Sequence, residues 1–151
     1  CYSSNNIINF KVFYICFKLN KLGFLKNIFG NKTSKEVKET YLNWTPLISV
    51  DEINTIKEIS KSQAILIFKH STRCGISRVV IKKFESLFNE ENKQLKVYYL
   101  DLLNFREVSS KLSEVFQVIH QSPQLLVIKN GISVNDESHY EIIKVNLSKY
   151  I

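Results

Sequence analysis

The most constraining stretch of this chain is AILIFKH, residues 64–70, where Ala64 to Phe68 form an unbroken apolar run of strand length. A half-exposed strand alternates polar and apolar residues. One that does not alternate is covered on both faces, and that cover takes helices on either side of a sheet. The period then changes. Ile76, Val79, Val80, Phe84, Leu87 and Phe88 recur at helical spacing and predict an amphipathic helix ending near Asn89–Asn92. KVYYLDLL (96–103) is a second buried strand. NFREVSSKLSEVFQVI (104–119) is a second helix, with Asn104 as its cap and Val108, Leu112, Val115 and Phe116 on one face.

The flanking segments complete the pattern. WTPLISV (44–50) reads as a short strand that Pro46 confines to a sheet edge. Ile53, Ile56 and Ile59 give helical spacing across 51–60, behind Ser49 and the start-favouring acids Asp51 and Glu52. QLLVIK (124–129), Asn130-Gly131 and ISVND (132–136) predict a hairpin, because both turn residues tolerate positive φ. A last helix is expected over 144–151. The order is β-α-β-α-β-α-β-β-α. Strands alternating with helices pair in parallel and the hairpin adds antiparallel strands, so the class is α/β with a mixed four- to five-stranded sheet flanked by helices.

A length of 151 residues suits one domain with its own core. With 44% hydrophobic and 23% charged residues, wholesale disorder is excluded. The net charge is +7, but residues 1–50 hold seven lysines against two acids, whereas the remainder is nearly balanced. That distribution argues against nucleic acid as a partner, which would want a basic face on the domain itself. No run approaches the ~18 apolar residues of a membrane span. The early run VFYICF (12–17) is fenced by Lys11 and Lys18 and precedes no small-residue cleavage site. The three cysteines, Cys1, Cys16 and Cys74, cannot all pair internally and show no metal-ligand spacing, which fits a reducing, cytoplasmic setting. Residues 1–22 carry neither turn punctuation nor periodicity, and the chain has no methionine. They are expected to be an extension upstream of a true start at Leu22, followed by a basic lead-in over 23–43 and the domain over 44–151.

In this layout Cys74 stands between the end of a central strand and the start of a long helix. Ligand sites of open α/β sheets gather at that edge. The free N–H groups and positive dipole end of a helix favour an anion there, and the thiolate is the reactive form of cysteine. Residues 69–83 contain Lys69, Arg73, Arg78, Lys82 and Lys83 and no acid. Arg73 is the cation expected to approach the sulfur's partner, while Lys82 and Lys83 solvate the outer helix face. Gly75 removes bulk beside the sulfur, and the Ser77 hydroxyl is expected to hydrogen-bond the thiolate. His70 and His120, at strand or loop ends near this edge, are candidates to tune it. Trp44 reads as a packing residue.

FKHSTRCGIS (68–77) followed by HQSPQLLVIKNG (120–131) resembles the monothiol bacilliredoxin family (YtxJ-type) of the thioredoxin superfamily. The likeness covers about residues 44–151, and FLKNIFG (24–30) is similar to the short start of such proteins. It implies a thioredoxin-like fold and a cytosolic activity on mixed disulfides between client proteins and bacillithiol. Cys74 falls on the family's nucleophile and Pro123 on the superfamily's cis-proline. Ser122, just before that proline, would present backbone groups to the bound disulfide. Thr72, in the junction ahead of the cysteine, joins Ser122 and Pro123 as an expected substrate-binding residue. Gly75 departs from relatives that carry proline there, which touches redox poise and not the nucleophile.

The implied reaction is exchange through one sulfur, with bacillithiol as co-substrate, no tightly bound cofactor or metal, and a monomeric protein. Because residue 77 has no sulfur, a second small thiol must resolve the Cys74 adduct. Two rivals stand beside it. Cys-Gly-Ile-Ser is one residue from the Cys-Gly-Phe-Ser of monothiol glutaredoxins, where two chains would share a bridging iron–sulfur cluster. The other rival is a thioredoxin-like binding module without turnover.

Overall fold

A computed structural model of the chain describes residues 41–151. The extension expected at 1–22, residues 23–40 of the lead-in, and Cys1 and Cys16 with them, lie outside the described residues. Five strands, β1 (Trp44–Pro46), β2 (Ile65–His70), β3 (Lys96–Asp101), β4 (Gln124–Lys129) and β5 (Ile132–Ser138), form one sheet in the order β1-β3-β2-β4-β5. β1, β3 and β2 are mutually parallel, while β4 runs antiparallel to β2 and β5 to β4. The mixed sheet follows from the sequence: helical crossovers join the parallel strands and a two-residue turn joins the last pair.

Three α-helices, α1 (Asp51–Ile59), α2 (Gly75–Glu85) and α3 (Arg106–Phe116), cover the faces. Every residue of β2 is buried, as its unbroken apolar run requires. Its alternation divides two cores. Leu66 and Phe68 join Val80, Phe84 and Phe88 of the α2 side, with Trp44. Ile65 and Ile67 join Ile53, Ile56, Val108 and Leu112 of α1 and α3. Trp44 is a packing residue, as expected. Its ring meets Phe68, Phe84 and Tyr99, and its Nε1 donates to Glu85 Oε1 at 3.0 Å.

Pro46 does sit on an edge strand, but β1 is three residues long instead of running to Val50. The Glu52 carboxylate accepts the N–H groups of Ile48 and Ser49, and Ser49 Oγ accepts that of Asp51, so these residues form the helix entry. Asn130 and Gly131 both take positive φ, 54° and 77°, as the hairpin demands.

Other boundaries differ from expectation for local reasons. α2 stops at Glu85, short of Asn89–Asn92, where Asn89 and Asn92 side chains take over the backbone partners. Asn104 does not cap α3, because its side chain donates to Asp101 Oδ2 at 2.9 Å. The helix begins at Arg106 and ends before Gln117, whose φ is 51°. The α-helix expected over 144–151 is instead two 3-10 turns, His139–Lys144 and Leu147–Tyr150. Val145 between them is extended, and Asn146 Oδ1 accepts the Ser148 N–H, which restarts the second turn. The final element of the β-α-β-α-β-α-β-β-α order is therefore not an α-helix.

Candidate functional site

β2 ends at His70, and four residues later Cys74 occupies the N-cap of α2 with extended backbone (φ −94°, ψ 124°). The junction is a tight turn. The Cys74 N–H donates to Ser71 O at 3.2 Å, and Cys74 O accepts the Arg78 N–H at 3.1 Å as the first helical bond. Cys74 is a free thiol, half-buried, and its side chain makes no capping bond. Thr72, Arg73 and Gly75 around it are exposed, and a Cβ placed on Gly75 would meet open space. The sulfur thus stands at a helix N-terminus with room for a partner to approach.

The antiparallel register of β4 sets Gln124 opposite Lys69. It carries Ser122 and Pro123, just ahead of β4, to the same end of the sheet as the 71–74 turn. The Ser122-Pro123 bond is cis, as the resemblance implied. Pro123 is buried, and the Ser122 hydroxyl oxygen is buried without a hydrogen-bond partner among the described residues. Cys74, Thr72, Ser122 and Pro123 are therefore gathered at one edge from two distant segments.

Ser77 lies one turn into α2 and is fully buried. Its hydroxyl does not turn to the sulfur as expected. It accepts the Ser71 N–H at 3.0 Å and lies 2.9 Å from His70 Nδ1. A hydroxyl accepts twice and donates once, so Ser77 takes the Ser71 N–H and pairs with His70 Nδ1 in either tautomer of the ring. Burial lowers the His70 pKa below the usual histidine value, Asp101 works against the shift and Arg78 with it. Burial likewise pushes the neighbouring Tyr99 phenol up, with help from Asp101 and Glu85. Position 77 is thus a neutral polar link between the helix start and the strand end.

Lys69 and His120 are placed elsewhere. Strand alternation turns Lys69 to the α1 and α3 side, opposite His70, so it is not one of the cations around Cys74. It is fully buried, and its Nζ contacts Gln124 Oε1 and His120 Nδ1, both at 2.9 Å, and Ser113 Oγ at 3.5 Å. His120 belongs to this group, and Ser109 Oγ lies 3.4 Å from the same nitrogen. The exposed cations near the sulfur are Arg73 and Arg78, with Lys82 and Lys83 farther along the outer face of α2.

Two features escaped the periodicity. Ile76 and Val79 belong to the apolar stripe by spacing but are 40% and 44% exposed, and Ile119, ahead of the proline loop, is 80% exposed. They fall at the N-terminal end of α2 and in the loop leading to Ser122, and among the described residues they stay open to solvent. The signal was available in the position of the stripe's first members, one turn from Cys74.

A free cysteine at the N-terminus of the helix after a central strand, at the same sheet edge as a cis-proline loop, defines a thioredoxin-fold protein of thiol redox function. Solved structures agree on the fold. A protein assigned as an oxidoreductase with a thioredoxin fold is 28% identical at a TM-score of 0.59, covering 70% of this chain and 88% of that one. Reduced Schistosoma mansoni thioredoxin pre-protein is 23% identical at 0.57, covering 72% and 98%. Fasciola hepatica thioredoxin is 18% identical at 0.56, covering 70% and 98%. Residues 45–147 match the monothiol bacilliredoxin BrxC family, and the chain belongs to that family.

Proposed function

We propose that the protein removes bacillithiol from mixed disulfides on client proteins, with Cys74 as the nucleophile. The Cys74 thiolate attacks the bacillithiol sulfur of a protein–S–S–bacillithiol conjugate. That S–S bond breaks, the client thiolate leaves and takes a proton from solvent, and bacillithiol stays on Cys74 as a new disulfide. A second bacillithiol thiolate attacks the bacillithiol sulfur of this adduct, which releases oxidised bacillithiol and restores Cys74. The observation that carries the reading is the state of position 77. It holds no sulfur, and its hydroxyl is committed to Ser71 and His70, so resolution falls to an external thiol.

The surroundings support the same reading. Ser122, with its unsatisfied hydroxyl, and Pro123 supply an extended edge for the disulfide, and Thr72, Arg73 and open Gly75 flank the sulfur. Exposed Ile76, Val79 and Ile119 offer apolar contact to a client that has no fixed sequence. Among the described residues no helix is long and apolar enough to cross a membrane. A cytoplasmic protein acting as a monomer on bacillithiolated clients, with no tightly held cofactor, is the setting this chemistry calls for.

The test is an oxygen-free purification followed by a visible spectrum, then intact mass after treatment with oxidised bacillithiol. The expected result is a colourless protein that gains one bacillithiol on Cys74 and loses it to reduced bacillithiol. A brown, dimeric product would instead identify the bridging iron–sulfur cluster carrier. Absence of both adduct and colour would leave a binding module.

A further inference from the structure

Lys69 is a fully buried lysine whose ammonium has no carboxylate within ion-pair distance; the four ion pairs among the described residues are exposed i,i+3 pairs elsewhere. Burying a charge is costly unless hydrogen bonds replace its water. Here they do, one per proton: Gln124 Oε1 and His120 Nδ1 at 2.9 Å and Ser113 Oγ at 3.5 Å surround Nζ. An ammonium can only donate, so His120 must be the neutral tautomer with its proton on Nε2. The His120 pKa is lowered accordingly, first by burial and then by the Lys69 charge.

Two of these three acceptors govern the segment before the proline. Gln124 Oε1 also accepts the Gln121 N–H at 3.2 Å, and its Nε2 donates to Ile119 O at 2.9 Å and lies 3.4 Å from Asp136 Oδ2. Residues 119, 120 and 121 are therefore each tied, directly or through one amide side chain, to a single cation on β2. That strand leads to Cys74 on its other side. We propose that Lys69 is a positioning residue, a charged clamp that fixes the 119–123 loop, and with it Ser122-Pro123, relative to the strand carrying the Cys74 turn. The kinetic part rests on the reading that Ser122-Pro123 receives the mixed disulfide.

Lys69→Met separates this role from a structural one. A similar apolar chain removes a desolvated charge, so melting temperature should hold or rise. A lysine that merely supported the fold would give a fall. The first readout is the His120 ring by nitrogen NMR. The wild type should show Nδ1 as a hydrogen-bonded acceptor, and Lys69→Met should shift that resonance; an unmoved resonance overturns the clamp. The second is exchange with a bacillithiolated client protein. Lys69→Met should raise KM about tenfold, the scale on which a small misplacement of positioning groups is felt. Alkylation of Cys74 by iodoacetamide should stay within about twofold of the wild type, because the sulfur's own surroundings are untouched. An unchanged KM alongside a shifted His120 signal overturns the positioning role. His120→Ala supplies the second variant. If the clamp acts as one unit, its KM defect should match that of Lys69→Met and the double variant should add nothing, whereas additive defects refute it. A wild type that exchanges nothing would sink the proposed function, and the His120 resonance would then decide the clamp by itself.

Discussion

His70 and Lys69 are neighbours on one strand, both buried, and they face opposite sides of the sheet with opposite electrostatics. On the α2 side, His70 sits among Phe68, Tyr99 and Ser77, its Nδ1 paired with one hydroxyl. On the α3 side, Lys69 is held by an amide, an imidazole and a hydroxyl, with no carboxylate in direct contact among the described residues. On the side that carries Cys74, β2 contributes the His70 ring, and the buried carboxylate of Asp101 stands beside it in register on β3. The side away from the sulfur carries the buried cation and uses it to hold a loop. Charge at this sheet edge is separated by strand alternation, a distance of one residue in sequence and one sheet thickness in space.

The largest effect should come from removing the reference point of that comparison. Cys74→Ser keeps size and leaves both sides of β2 intact, so melting should be unchanged while exchange falls on the order of a thousandfold or more. Residual turnover near the wild-type rate would move the nucleophile elsewhere. The next effect distinguishes the two sides by pH. Burial lowers the Lys69 pKa to about 8 from 10.5, so between those values the unfolded chain holds more protons than the folded one and stability rises with pH. Between pH 8 and 10 the gain should be about 2 kcal/mol, before Tyr99, shifted the other way, begins to oppose it. Chemical denaturation across that range should show the climb, and Lys69→Met should flatten it. His70 and His120 act in a separate window. Their lowered values mean that stability is lost as pH falls below the usual histidine range.

A smaller effect tests the His70 side. Ser77→Ala leaves the Ser71 N–H and His70 Nδ1 buried without their shared partner, and should cost about 1–2 kcal/mol in urea unfolding. A variant as stable as the wild type would show that water replaces the hydroxyl.

Much of this was legible beforehand, and the exceptions share a cause. Strand and helix order followed from AILIFKH, KVYYLDLL and the stripes after them, because burial on both faces leaves an unmistakable pattern. The hairpin was readable from Asn130-Gly131, and the cysteine's place followed from the strand–helix junction. The proline geometry came from the resemblance alone. What failed was sidedness. Lys69 is near the sulfur in sequence, but adjacent strand residues face opposite sides of the sheet, so it does not join the cations around Cys74. His120 was linked to the sulfur's edge, but its ring is turned to Lys69 from the α3 side. The Ser77 hydroxyl, expected at the sulfur, is taken instead by the buried ring of His70 and the Ser71 N–H. The C-terminal turns carry no long periodic stretch, so Val145 and the Asn146 cap decided locally what no pattern announced.

The smallest effect concerns Gly75, where the fold sets no demand for glycine. It is the first residue of α2, a Cβ there meets nothing within 4 Å, and its φ is not in the left-handed region. Proline is favoured at that position, and it requires an extended residue before it, which Cys74 already is at φ −94° and ψ 124°. Gly75→Ala and Gly75→Pro should therefore both stabilise by about 0.5–1 kcal/mol, mainly by restricting the unfolded chain. Their contrast is the sharper measurement, because only proline removes the residue 75 N–H. The Cys74 side chain accepts no capping bond, so alkylation of Cys74 should stay within about twofold in both variants. A tenfold drop in Gly75→Pro alone would show that this N–H serves the sulfur directly, and that the open side of the sheet edge, like the buried one, is built around a specific donor.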